Sequence, residues 1–247
     1  PTGKPLAPMP PSTPAPPGLH AALASDEWFS ACAPALQAQL LHLGRVRALA
    51  HGTSLFARGG EADGLCCVLA GALRIGALNA DGDSALLAWL EPYQWFGEIS
   101  LIDGRPRTHD AVADGPTQVL VVPREALLAW LAEHPAMWRE LARLACRKLR
   151  VLFVAVEELA QLPLEERVWR RLQLVAQGYG SREAPRRRIR LAQEVLAQML
   201  GVSRQSINKA LKALEAGGRV RLHYGEIKLL AASENPGSVA PAGPAGG

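Results

Sequence analysis

No stretch of this chain approaches the roughly 18 consecutive apolar residues that a membrane-spanning helix needs, and the N-terminus has no basic start leading into an apolar core. A soluble, cytoplasmic protein without a membrane partner is the expectation. Cysteine is sparse: Cys32, Cys66, Cys67 and Cys146 are the four present, and no pair has the C-x-x-C spacing of a zinc or redox site. Adjacent Cys66 and Cys67 would project from opposite faces of a strand, so all four read as free thiols in a reducing compartment. Also missing are a nucleophile-base motif, a metal-ligand cluster and a Walker loop. No catalytic residue and no metal ligand is assigned, and an enzyme is not expected.

With 247 residues, 49% of them hydrophobic and 20% charged, the chain can bury the cores of two modest domains. Its net charge of +4 is unevenly spread. Basic residues crowd between Arg182 and Arg221, which points to a polyanion as partner of the C-terminal third. Residues 1–20 and 233–247 are rich in Pro, Gly, Ser and Ala without apolar periodicity, and read as a disordered arm and tail.

The middle of the chain carries the strongest pattern. Trp138, Ala142, Ala145, Leu149, Leu152, Val156 and Leu159 recur at alternating spacings of four and three, the period of a coiled coil. Charged residues fill the gaps, and Pro163 ends the run. A helix of about 22 residues is roughly 33 Å long. It can join two domains and face its copy in a second subunit, or serve as an ordinary core helix.

Before this helix, a helical segment is expected from about Ala21 to Leu43, anchored by Trp28, Phe29, Leu36, Leu40 and Leu41. From Val46 the pattern changes to short strands with Gly at the corners, as in a β-roll or jelly roll. Leu73, Ile75 and Ala77 alternate with Arg74 and Gly76, NADGD supplies a hairpin turn, and Thr117 to Pro123 reads as the last strand. The helix-forming run REALLAWLAEHP leads into the long helix. After Pro163 come a helix over Leu164 to Gln177, a loop and strand within GYGSREAPRRRIR, two more helices, and a hairpin turning at Tyr224 and Gly225.

Gly201 separates those last two helices, and Ser203 is a natural N-cap for the second. Ile207, Ala210, Leu211 and Leu214 form its apolar stripe. Arg204, Gln205, Asn208, Lys209 and Lys212 then fall on the opposite strip. A helix-turn-helix inserts such a strip into the DNA major groove, where Arg and Gln make bidentate contacts to base edges and Lys reaches guanine or phosphate. An isolated polar strip would be a solvated face; here the Gly turn, the cap, the preceding helix and the basic hairpin agree on DNA. Ser203 and the hairpin residue Arg221 complete the candidate DNA-binding set.

The segment LAQEVLAQMLGVSRQSINKALKALEAGGRVRLHYGEIKLL resembles the winged helix-turn-helix of the Crp/Fnr superfamily of bacterial transcription regulators. In that family the recognition helix typically begins Ser-Arg-Glu, with an Arg five residues after the first. This chain keeps Arg204 but has Gln205 and Lys209 at the other two positions. An amide that donates and accepts replaces an acceptor-only carboxylate, so a half-site differing from the family's best-known one is expected.

WFGEISLIDGRPRTHDAVA, from Trp95 to Ala113, resembles the phosphate-binding cassette of cyclic-nucleotide-binding domains. By that resemblance the amides of Gly97 and Ile99, with Arg107 and Thr108, would hold a cyclic phosphate, and Glu98 a ribose 2′-hydroxyl. Gly permits close backbone approach, and Arg offers a fork for phosphate oxygens. His109 and Asp110 replace smaller residues common in the cassette. Where cAMP-responsive members present hydroxyls to adenine, this chain has Leu152 and Phe153. Two readings stay open: an effector of the cAMP, cGMP or cyclic di-GMP class, or a relic pocket in which Glu98 pairs with Arg107. An iron-sulfur cluster would need a close group of N-terminal cysteines, and only Cys32 precedes residue 66. Haem would need an axial ligand, for which His51 and His109 are the isolated candidates.

The expected architecture is α+β: a disordered arm (1–20), a β-roll, jelly-roll-like sensor domain (21–137), a long dimerisation helix (138–160), a winged helix-turn-helix (161–232) and a disordered tail (233–247). The resemblance implies a homodimer on a palindromic double-stranded operator, with RNA polymerase as a further partner. Ligand would shift the population toward recognition helices spaced one DNA turn apart, about 34 Å. The alternatives are a ligand-independent regulator of the same family and a regulatory subunit of an enzyme.

Overall fold

The structure is a computed structural model and describes residues 13–16, 18–78, 84–179 and 185–230. A short strand β1 (Thr13–Pro14) precedes three helices, α1 (Leu19–Leu23), α2 (Glu27–Ala31) and α3 (Pro34–Leu43). Strands β2 (Arg45–Leu49), β3 (Ser54–Phe56), β4 (Gly64–Ala70), β5 (Leu73–Leu78), β6 (Ser84–Leu90) and β7 (Trp95–Phe96) lead to helix α4 (Glu98–Asp103). Strands β8 (Asp110–Ala113) and β9 (Thr117–Pro123) follow, then α5 (Arg124–Glu133), a single 3-10 turn and the long helix α6 (Trp138–Gln161). The remainder is α7 (Leu164–Ala176), β10 (Arg188–Ile189), α8 (Gln193–Leu200), α9 (Arg204–Ala216), β11 (Val220–His223) and β12 (Glu226–Leu229). Pro1–Glu157 with Gln177–Ala184 form one compact unit, and Glu158–Ala176 with Pro185–Gly247 the other.

In the first unit a five-stranded sheet, ordered β1-β2-β9-β4-β7, faces a four-stranded sheet, β3-β8-β5-β6. The period of two along each strand sorts side chains into two cores. Along β4, Cys66 and Val68 enter the cluster between the sheets with Leu73, Phe96, Val119 and Val121. Leu65 and Cys67 point the other way, into a cluster with Phe29, Leu36, Trp95, Leu127 and Leu141. The five-stranded sheet therefore buries both faces of its central strands, which is why β4 and β9 read as nearly continuous apolar runs. No helix among the described residues is long and apolar enough to cross a membrane.

The segment expected as one helix over 21–43 is three. Asp26 caps α2 by accepting from Phe29 N at 2.8 Å, and Pro34, which lacks an N–H, opens α3. The arm expected to be disordered through residue 20 is ordered in part. Thr13 and Pro14 pair with Val46 and Arg45 at the edge of β2, and Leu19 is buried in the helical cluster. An open strand edge offers unpaired backbone groups, and two residues of the arm take them. The tail and the NADGD turn lie outside the described residues.

Helix α6 has two apolar stripes rather than one. Leu141 and Leu144 are fully buried against the first unit's own core, and Trp138, expected in the intersubunit seam, also packs against that cluster. From Leu149 onward the apolar residues turn outward. Leu149, Leu152, Phe153, Val154, Val156 and Leu159 are 46% to 62% exposed, far more than large apolar side chains that have found a core.

Candidate functional site

The cassette begins at Gly97, whose φ of 92° suits a residue without a side chain. A Cβ there would lie 2.7 Å from Arg107 Nη1 and 3.0 Å from Gly64 O, so nothing larger fits. The guanidinium that Gly97 admits is only 3% exposed. Arg107 Nη1 donates to Gly97 O (3.1 Å), and Nη2 donates to Gly64 O (2.7 Å) and to Asp63 Oδ1 (2.5 Å). Its plane lies over the Phe56 ring, 4.2 Å from the centroid. Arg107 Nε has no acceptor among the described residues, and a buried donor left in this state is uncommon.

Glu98, 1% exposed, accepts from Lys148 Nζ of α6 at 2.7 Å. The Glu98–Arg107 scaffold pair weighed from the sequence is therefore not formed, because each charge finds another partner: Arg107 takes Asp63, and Glu98 takes Lys148. Gly97, Glu98 and Arg107 sit around one loop. Thr108 is exposed, with its hydroxyl 2.9 Å from His109 Nδ1. The Ile99 side chain is 47% exposed, and its expected role is through its backbone amide.

Asp63 and Lys148 were missed from the sequence. For Lys148 a signal exists: it continues the inward stripe Leu141–Leu144, four residues on, where another apolar residue would be due. Arg147, beside it, meets a second buried carboxylate, Asp26, at 3.4 Å. Burial pushes the Asp26 carboxyl up, against the opposing pull of Arg147. The inward face of α6 thus changes from leucine to two cations, each set against an acid.

In the second unit, α8 ends at Gly201 in the left-handed conformation (φ 63°), and Ser203 Oγ accepts from Ser206 N at 3.1 Å to cap α9. Ile207, Ala210, Leu211 and Leu214 are buried. Arg204, Gln205, Asn208, Lys209 and Lys212 are all exposed, as is Ser203. The hairpin β11–β12 joins β10 in a three-stranded sheet, turning at Tyr224 and Gly225. Exposed Arg221 stands opposite Lys228 on the neighbouring strand, a like-charge pairing that costs stability by itself and suits a polyanion. Arg219 fixes the hairpin to α7: Nη1 donates to Glu166 Oε2 at 2.7 Å, and the guanidinium lies 4.5 Å from the Trp169 ring centroid. Among the described residues no group of three or more His, Cys, Asp or Glu could hold a metal ion.

Residues 46–134 match the cyclic nucleotide-binding domain family, and residues 166–233 match the Crp-like helix-turn-helix domain family. The CRP-like cAMP-activated global transcriptional regulator of Mycobacterium tuberculosis is 34% identical over 185 residues, 74% of this chain and 82% of that protein. The cyclic AMP receptor protein of Thermus thermophilus is 33% identical over 179 residues, 72% of this chain and 80% of that one. The structure of FixK2 from Bradyrhizobium japonicum shares the fold, with a TM-score of 0.68 at 21% identity over 81% of this chain and 99% of that one. A roll and a winged helix-turn-helix in this order, with relatives this similar over most of their length, place the chain in the Crp/Fnr superfamily of DNA-binding transcription regulators, with a cyclic nucleotide-binding domain.

Proposed function

We propose that this regulator is a homodimer whose operator affinity is set by a cyclic nucleotide held through its phosphate at Arg107. The observation that carries this reading is the buried guanidinium with an unpaired Nε–H, in a loop where Gly97 leaves no room for a side chain. An anion supplies the missing acceptor and a charge-assisted bond. Relatives named as cAMP-activated make cAMP the first candidate. Leu152 and Phe153, exposed and without polar atoms, leave the base to be held by apolar contact, a weaker discriminator between purines than hydrogen bonding.

The route to DNA runs through Glu98. A ribose hydroxyl donating to this carboxylate competes with Lys148 Nζ, so occupancy alters a bond between the cassette and α6. The exposed stripe from Leu149 to Leu159 pairs with its copy in a second subunit, and Arg204, Gln205, Asn208, Lys209 and Lys212 of each subunit read one half-site of a palindrome. Differential affinity for two arrangements is required; equal binding to both would shift nothing.

A second reading, ligand-independent DNA binding, draws on the same cassette, since both buried charges already have protein partners. Calorimetry and melting with cAMP, cGMP and cyclic di-GMP separate the two. Under the first reading one of them binds wild type and raises its melting temperature, and Arg107→Ala weakens binding at least tenfold, as expected for loss of a charge-assisted hydrogen bond of about 1.5–3 kcal/mol. No binding by any of them, with Arg107→Ala merely destabilised, selects the second.

A further inference from the structure

The cassette departs from its family's usual pattern at His109 and Asp110, and the structure gives both a place. Asp110 Oδ1 accepts from Arg58 N at 2.8 Å. Gly59 N donates to Arg107 O at 2.8 Å, and Arg107 N donates to Gly60 O at 2.9 Å. Residues 58–60 are thereby laced to 107–110, and half-buried His109 is held with Nδ1 2.9 Å from Thr108 Oγ1. Thr108 itself is exposed beside Arg107.

We infer that His109 is a positioning residue that couples effector binding to protonation: as imidazolium it donates Nδ1–H to Thr108 Oγ1 and leaves the Thr108 hydroxyl hydrogen free for a phosphate oxygen. This inference rests on the reading that a cyclic nucleotide phosphate is held at Arg107 and Thr108. A hydroxyl has one hydrogen to give. When Nδ1 is bare, Thr108 spends that hydrogen on the ring and presents only lone pairs to the anion. The neutral tautomer protonated at Nδ1 releases the hydrogen as well. Only the cation adds an attractive charge beside the phosphate, so the anion favours imidazolium over either neutral form.

The charged groups bearing on the ring oppose each other: Arg58 disfavours the imidazolium and Asp110 favours it. Burial, then Arg58, hold the free His109 below its usual value, so the ligand-free ring is largely neutral near neutral pH. Binding then draws a proton from solvent. Affinity is highest below the pKa of the ligand-free ring and falls as pH rises through the pKa of the liganded one. A phosphodiester keeps its single charge throughout this range, so the slope belongs to the protein.

The test is calorimetric titration of the whole chain with cAMP, cGMP and cyclic di-GMP separately, from about pH 5.5 to 8, in two buffers of different ionisation enthalpy. Wild type should lose about tenfold in affinity across the range, corresponding to one pKa unit of coupling, and should take up protons on binding. His109→Gln should bind near the wild type's high-pH affinity with a flat profile and no buffer dependence. Thr108→Val should bind more weakly at every pH while keeping the part of the slope that comes from the imidazolium charge. A flat wild-type profile without proton uptake overturns the inference while the proposed function stands, and so does a slope that survives in His109→Gln or a Thr108→Val variant that binds as tightly as wild type. Failure of all three nucleotides to bind wild type at any pH removes the proposed function and this inference with it.

Discussion

Lys148 Nζ lies 2.7 Å from Glu98 Oε2, and through this bond the long helix holds the carboxylate that the cassette would present to a ribose. The carboxylate is 1% exposed while the ammonium is 34% exposed. The lysine can therefore be removed without opening a cavity, but the acid cannot lose its partner cheaply.

Lys148→Met should lower the stability of the ligand-free protein by about 1–3 kcal/mol, the cost of stranding a buried acceptor. The double variant Glu98→Gln/Lys148→Met should recover part of that loss, since the stranded charge is gone. Thermal melting of the four proteins completes the cycle. Additive losses would mean that the two side chains do not interact in solution.

Leu152→Glu places an acid in the middle of the exposed stripe of α6. If that stripe meets its copy, like charges oppose one another in the interface. Sedimentation velocity should then report a monomer with weak operator binding, whereas a fully dimeric variant rules out this stripe as the interface.

On the recognition helix, Arg204→Ala should cost about 1–3 kcal/mol on the operator and relax preference at one base pair of each half-site. Arg221→Ala should weaken operator and random DNA alike and reduce the salt slope by about one counterion. Gel-shift titrations at several salt concentrations distinguish the two behaviours. Equal losses on both DNAs for Arg204→Ala would argue against base reading.

The hydrogen bond from Arg219 holds the Glu166 carboxyl below its usual value. A carboxylate with a depressed folded pKa contributes stability in full above the unfolded value, 4.5, and loses it as pH falls through the folded one. Glu166→Gln should therefore melt below wild type near neutral pH, and the gap should close in acid. A gap that stays constant with pH would assign the effect to packing on Trp169 rather than to charge.

The parts legible in the sequence were those governed by short-range periodicity. The alternation in β5, the apolar run of β9, the Ser203 cap and the buried stripe of α9 all follow from residues within a few positions of one another. The α2 cap at Asp26 was local too, yet an apolar pattern that ran through it hid the break. What the pattern could not carry were partners chosen by the tertiary fold. Lys148 and Glu98 are 50 residues apart, and Arg107 and Asp63 are 44 apart. Trp138 fits the heptad as well as Leu152 does; only the core beneath the start of α6 shows that it packs against the first unit's own cluster.

The scattering of thiols has a practical consequence. Cys32, Cys66 and Cys67 are buried; burial pushes the first two up to about 12 and the third well above its ordinary value. Thiolate, the reactive form, is therefore scarce at all three near neutral pH. Cys146 is exposed on α6. A maleimide pulse should thus tag one site on the native chain and the other three only when the roll opens. The second unit contains no cysteine, so the reagent follows the opening of the first unit alone, and mass spectrometry can time it in the intact chain without an engineered label.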